Sequence, residues 1–162
     1  MSDLENRIDA VSRYILAEDP ADREKARDRL RKLMKNAPTG TAPEVDAETI
    51  SRDLFLEMGA PDHLIGHEYA LAAVLLVVEN RTFIDNITFG LYPQLAVQFD
   101  TTASRVERAI RHVVEVMWTS GDTDVLFRYF GNTISADRGK PTNGEFIARC
   151  ANIVKARLRN AA

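Results

Sequence analysis

The chain has 162 residues, 45% of them hydrophobic, and a formal net charge of −3. That is enough for one domain, or one domain with an extension, around a single core. The longest apolar run, Ala70 to Val78, is far too short for the roughly 20 residues that cross a bilayer, so a membrane span is excluded and an acidic balance argues against indiscriminate binding to nucleic acid.

The first residues, MSDLENRIDA, have neither a basic nor an apolar stretch, and no secretory signal is expected. One cysteine, Cys150, cannot make an internal disulfide, and a reducing cytoplasm is the simplest setting. Cys150 lies in an apolar helical pattern and reads as a buried structural thiol.

Residues 1–36 read as a helical hairpin, a possible element for dimerisation or for a partner. Leu4, Ile8, Val11 and Ile15 form one apolar stripe. Asp19-Pro20 then starts a second, heavily charged helix, with Asp19 as N-cap. Its mixed charges fit a solvated face, and pairing with another copy or a partner is the alternative. Residues 37–45, with two prolines and a glycine, read as a linker. Residues 46–162 are the expected main domain.

Asp46 caps the next helix, whose apolar side is Ile50, Leu54, Phe55 and Met58. Gly59 and Pro61 end it. A long helix follows, roughly Asp62 to Asn80. Its run ALAAVLLVV is apolar all round and predicts the buried central helix. His63 and His67 stand four apart, a spacing a metal would use, but no third ligand stands at suggestive spacing, and capping or surface roles are the reading. Two N-x-T sequences, at Asn80 and Asn86, carry no meaning in a cytoplasmic protein.

Leu91 to Thr119 then reads as short helix, tight turn, longer helix. Leu95, Ala96 and Phe99 supply the packing face of the first. Asp100-Thr101-Thr102 makes the turn, with Asp100 in the left-handed place that glycine often takes. Thr102 is the expected N-cap, and Ser104-x-x-Glu107 is an alternative capping box. In the second helix, about residues 103–119, Val106, Ala109, Ile110, Val113, Val116 and Met117 fall on one side at 100° per residue. Ser104, Arg105, Glu107, Arg108, Arg111, His112 and Glu115 fall on the other. Arginines suit guanine edges and phosphates, and this helix is expected to enter the major groove of DNA. The alternative is a solvated face with Glu107–Arg111 and Arg111–Glu115 pairs.

Charge distribution favours the first reading. Residues 46–100 hold 2 basic and 9 acidic side chains, whereas residues 101–162 hold 10 basic and 6 acidic. The net-positive part contains the helix-turn-helix pattern.

Gly121 closes that helix, and Asp122 to Phe130 is a short acidic-then-aromatic helix. Arg138 and Lys140 lie in a basic loop suited to a phosphate backbone. Thr142-x-x-Glu145 is a capping box. It opens the last helix, with Phe146, Ile147, Cys150, Ile153 and Leu158 inward. Lys155, Arg157 and Arg159 near its end fit either the helix dipole or phosphate contact. No stretch alternates with period 2 over enough residues for a sheet. The expected fold is all-α: a six-helix bundle containing a helix-turn-helix, preceded by the hairpin. Nothing supplies a nucleophile–base pair, a glycine-rich phosphate loop, a metal set or a cofactor site, so no enzyme is expected.

Two stretches, TTASRVERAIRHVVEVMW and KPTNGEFIA, closely resemble the C-terminal DNA-binding effector domain of stage-zero sporulation protein A, the bacterial sporulation response regulator. The similarity runs from about Asp46 to Arg159 and includes LYPQLA. The resemblance implies a compact six-helix domain that binds double-stranded DNA at a promoter element, as a homodimer on tandem sites. It implies base readout by Glu107, Arg108 and Arg111, with Thr102, Ser104, Arg105 and His112 at or near the DNA. It also implies that the segment carrying Asp122, Asp124, Phe127 and Arg128 contacts a sigma factor of RNA polymerase. Full-length family members carry a phosphorylated receiver domain, and the 45 residues before this domain show no strand-Asp-turn pattern. DNA binding is then constitutive, or the hairpin replaces the receiver. A protein-interaction module acting on a full-length regulator or on polymerase, without strong DNA affinity, is the second expectation.

Overall fold

The structure, a computed structural model, describes residues 45–134 and 136–162, together with Ala21, Glu24, Lys25 and Asp28, which are helical and exposed. The expected hairpin over residues 1–36 and the linker over 37–45 otherwise lie outside the described residues. Val45–Ala162 form one unit, and no strand occurs among its described residues.

Seven α-helices follow in order: α1 Ala47–Glu57, α2 Ile65–Glu79, α3 Thr82–Asp85, α4 Tyr92–Gln98, α5 Ala103–Ser120, α6 Thr123–Phe130 and α7 Asn143–Ala161. Six of them match the expected helices. The four-residue α3, and a single π turn at Ile87–Leu91 that runs directly into α4, are additions. The π turn shows in the bond from the Leu91 N–H to the Asn86 carbonyl at 3.1 Å. Asn80, one of the N-x-T asparagines, has a local job: its side chain accepts from the Thr82 N–H at 3.0 Å and from the Thr82 hydroxyl at 2.7 Å. This satisfies donors at the start of α3 that the helix itself leaves open.

Local chemistry sets the helix ends. The Asp46 carboxylate accepts from the Thr49 N–H at 2.7 Å, which holds its carboxyl below the usual range. Gly59, at φ +72°, ends α1. The bonds Ala60 N–H to Phe55 carbonyl and Gly59 N–H to Leu56 carbonyl make this a Schellman turn. The long helix α2 starts at Ile65, three residues later than expected. Its N-cap, Leu64, brings no side-chain cap, and Asp62 and His63 stand in the turn ahead of it. Thr142 and Glu145 form the expected capping box of α7: the Thr142 N–H donates to Glu145 at 2.7 Å and the Glu145 N–H to the Thr142 hydroxyl at 3.2 Å.

Helix α2 packs against α1, α5 and α7, which is why its sequence is apolar on every side. Phe55, Phe130 and Phe146 are the largest fully buried side chains. Phe146 links the other two, at centroid distances of 5.6 Å from Phe55 and 5.8 Å from Phe130. Each such ring contributes about 1.5–3 kcal/mol when removed from water. Cys150 is fully buried; burial pushes its thiol far above the ordinary range, so it is a protonated packing group. Two expectations for α7 shift: Ile153 and Leu158 are half-buried, while Ala151 and Val154 are buried. On α5, Val114 rather than Val116 completes the buried face. His67 is buried with its ring edge-on to Phe55 at 5.4 Å, whereas His63 is exposed. The two histidines therefore do not share a ligand-binding face.

Candidate nucleic-acid interface

The turn between α4 and α5 is a second Schellman turn, and the residue in its left-handed position is Asp100, at φ 48°. The Thr101 N–H donates to the Ala96 carbonyl at 2.9 Å and the Asp100 N–H to the Val97 carbonyl at 3.4 Å, as this motif requires. Thr102 then caps α5, its hydroxyl accepting from the Arg105 N–H at 3.3 Å. The alternative box at Ser104 and Glu107 is not used as a cap. Leu95 and Ala96 of α4 are buried, as are Val106 and Ile110 of α5. Tyr69 of α2 lies against Phe99 at 4.8 Å. The two helices are thus held at a fixed angle with one face of α5 turned outward.

That outward face carries Ser104, Arg105, Arg108, Arg111 and His112, all exposed. Glu107 is half-buried, and its carboxylate is paired with the Arg111 guanidinium one turn on. Arg108 and Arg105 have no ion pair among the described residues. Arg105 and Arg108 are therefore the arginines on this face most available to an external acceptor.

Arg138 and Lys140, from the loop between α6 and α7, reach the same region. Lys140 Nζ lies 2.8 Å from Glu115 Oε1, and both side chains are exposed by more than 40%. The Lys140 ammonium holds the Glu115 carboxyl below its usual range. Arg138 pairs with Glu145 at 3.2 Å. The Glu145 carboxyl is also lowered, chiefly by the bond from the Thr142 N–H. Arg111, Arg138 and Lys140 line one cavity of about 630 Å³ together with Glu107, Tyr92 and Asn143. Sequence reasoning singled out neither of the last two. Asn143 lay inside the KPTNGE capping motif and Tyr92 inside LYPQLA, but nothing local marks them as partners.

Asp122, Asp124, Phe127 and Arg128, on α6 and its N-cap, form a separate surface. Asp122 is the N-cap, accepting from the Asp124 and Val125 N–H groups at 3.0 and 3.1 Å, so part of its role is structural. Asp124 and Arg128 are exposed, and Phe127 is 73% exposed. Phe127 borders a depression of about 410 Å³ with Trp118, Leu126 and Ile134. At the far end of α7, Arg157 makes a bidentate pair with Glu57 at 2.9 and 3.0 Å and also donates to the Tyr129 hydroxyl at 2.6 Å. It fastens α7 to α1 and α6, which gives this arginine a structural task.

No helix among the described residues is long and apolar enough to cross a membrane. A family model described as the sporulation initiation factor Spo0A C terminal matches residues 51–154.

Proposed function

Since the chain belongs to the family of the Spo0A C-terminal domain, a DNA-binding effector domain of a sporulation regulator, we propose that it is a sequence-specific transcription regulator whose helix α5 reads the major groove. The observation that carries this reading is the outward face of α5, anchored by the Asp100 turn and bearing Arg108 without an intramolecular partner. The family consists of DNA-binding regulatory domains rather than enzymes.

In this reading Arg108 and Arg111 contact guanine edges, and a bidentate pair of that kind discriminates by about 1–3 kcal/mol. Glu107 either accepts from a cytosine amino group or holds Arg111 in place, as it does in the free protein. Thr102, Ser104, Arg105 and His112 lie along the flanking backbone. Arg138 and Lys140 neutralise phosphates and set register without carrying sequence information. Residues 46–162 act as the DNA-binding domain, in the cytoplasm, as a homodimer on tandem sites. The α6 surface with Asp122, Asp124, Phe127 and Arg128 meets a sigma factor of RNA polymerase.

Fluorescence anisotropy with a panel of specific and scrambled duplexes tests the assignment. Arg108→Ala is expected to abolish preference for the specific duplex, whereas Lys140→Ala weakens both about equally. An Arg108 variant with undiminished preference would remove base readout from this residue.

The exposed Phe127 and its apolar depression favour a second reading, a module that works by protein contact with little DNA affinity of its own. If no duplex retains the protein even at low salt while a regulator or polymerase subunit co-elutes with it, the second reading replaces the first.

A further inference from the structure

Asn143 is one of three buried polar side chains among the described residues, and it joins three helices. It stands at the first position of α7. Its Nδ2 donates to the hydroxyl oxygen of Tyr92, at the start of α4, at 3.1 Å. It also donates to the main-chain carbonyl of Glu107, in the second turn of α5, at 3.0 Å. A main-chain carbonyl only accepts, so the amide nitrogen must face α5. Within the helix a carbonyl uses one lone pair for its own i+4 bond and keeps another, which Asn143 takes up.

We propose that Asn143 is a positioning residue for the recognition helix. Val106, Ile110 and Val113 set the depth of α5 by packing, but apolar contact has no preferred direction. A hydrogen bond does. The bond to the Glu107 carbonyl fixes the roll of α5 about its axis at the residue whose neighbours, Arg108 and Arg111, carry the proposed readout. The second bond, to Tyr92, ties that roll to the first helix of the helix-turn-helix. Bidentate arginine contacts tolerate little angular error, so freedom in roll lowers discrimination while leaving phosphate attraction untouched. The functional half of this inference rests on the DNA-binding reading; the positional half does not.

Two variants test it. Asn143→Ala deletes the donor. Asn143→Asp keeps the shape and sets a carboxylate oxygen against the Glu107 carbonyl, while a negative charge in the first turn of α7 favours that helix. Tyr92→Phe, which removes one acceptor, gives a smaller change in the same direction and covers the case in which both Asn143 variants fold poorly. Amide hydrogen exchange, measured without DNA, is expected to rise about tenfold over residues 103–111 while α2 stays protected. The ratio of specific to scrambled affinity is expected to fall five- to tenfold, the size of one directional bond lost, with scrambled affinity within twofold of wild type. Exchange that is unchanged, or raised evenly over all helices, overturns the positioning. A full specific-to-scrambled ratio in a folded Asn143→Ala protein overturns it as well. If the wild-type protein prefers no duplex, the DNA-binding reading fails, and the exchange profile alone decides the role of Asn143.

Discussion

Gly66 lies directly against the backbone of Ala109: a Cβ added to Gly66 would stand 2.1 Å from the Ala109 carbonyl oxygen and 2.5 Å from its carbonyl carbon. This is where α2 crosses α5, so the missing side chain sets the distance between the central helix and the recognition helix. These two nearest atoms are main-chain atoms of a helix and cannot swing aside, and Val113 Cγ2 stands at 2.8 Å behind them. Gly66→Ala gains about 1 kcal/mol of helix propensity, yet overpacking of this kind costs 1–3 kcal/mol or more, and a contact this short belongs at the high end. We expect a net loss of about 2 kcal/mol, read as a lowered urea midpoint with an unchanged slope. A Gly66→Ala protein as stable as wild type would show that the crossing is looser than its geometry indicates.

Asp100 holds a left-handed conformation at the helix-turn-helix corner. An ordinary side chain pays roughly 1–2 kcal/mol there, whereas glycine, asparagine and aspartate are tolerated. Asp100→Gly and Asp100→Asn are therefore expected within about 0.5 kcal/mol of wild type in urea unfolding. Asp100→Val, β-branched, should be worse by about 1–2 kcal/mol. The same ranking should appear in binding to the specific duplex, because the turn sets the angle between α4 and α5. Equal stability of the valine and glycine variants would contradict a backbone origin.

Both relationships bear on how much of this molecule is legible in its sequence. The Asp100 turn was readable because its signal is local: an Asp, then a threonine cap, between two periodic apolar stretches. The inward and outward faces of α5 followed from the 3.6-residue period, with Val114 replacing Val116 because packing against α2 and α7 turns the buried arc slightly. Gly66 gave no sign, since its reason is a helix that begins 37 residues later. The bonds of Asn143 span 51 and 36 positions, and no periodicity encodes them. The π turn at Ile87–Leu91 was invisible because a rare single turn of five residues is too short to show a period of its own. The pairing of Lys140 with Glu115 also required the fold, as only the path of the α6–α7 loop brings them together.

That last pair predicts an effect on DNA affinity. Glu115 neutralises a cation expected to meet phosphate, so Glu115→Gln should strengthen binding to any duplex by a few-fold at low salt. The phosphate contact that Lys140 makes on this reading accounts for about 0.9 of the slope of log affinity against log salt, which Lys140→Ala should remove. Both side chains are well exposed, so solvent screening leaves the pair little effect on folding and thermal stability should barely move. Adding Lys140→Ala to Glu115→Gln should cancel much of the gain. A salt slope unaffected by Lys140→Ala would place Lys140 away from the phosphate backbone.

The Glu57–Arg157–Tyr129 cluster gives a pH-dependent prediction. The Glu57 carboxyl is held below its usual value, first by hydrogen bonds from Arg157 and then by the Tyr129 hydroxyl, which donates at 2.7 Å. A carboxyl lowered in the folded state adds stability that is fully present above the ordinary glutamate value of 4.5 and is lost as pH falls through the lowered one. The side chain is 42% exposed, so solvent screening keeps the effect small, and a difference measurement is needed to see it. Glu68, Glu115 and Glu145 are lowered in the same way and weaken the wild type and a Glu57→Gln variant alike in acid. The gap between the two urea midpoints therefore isolates Glu57. It should be largest near pH 6 and close steadily below about pH 4.5, where the wild-type carboxyl takes up its proton and comes to resemble the glutamine. A gap that stays constant down to pH 3 would mean that Glu57 acts through packing and neutral hydrogen bonds, and that the charge on Arg157 is not what joins α7 to α1.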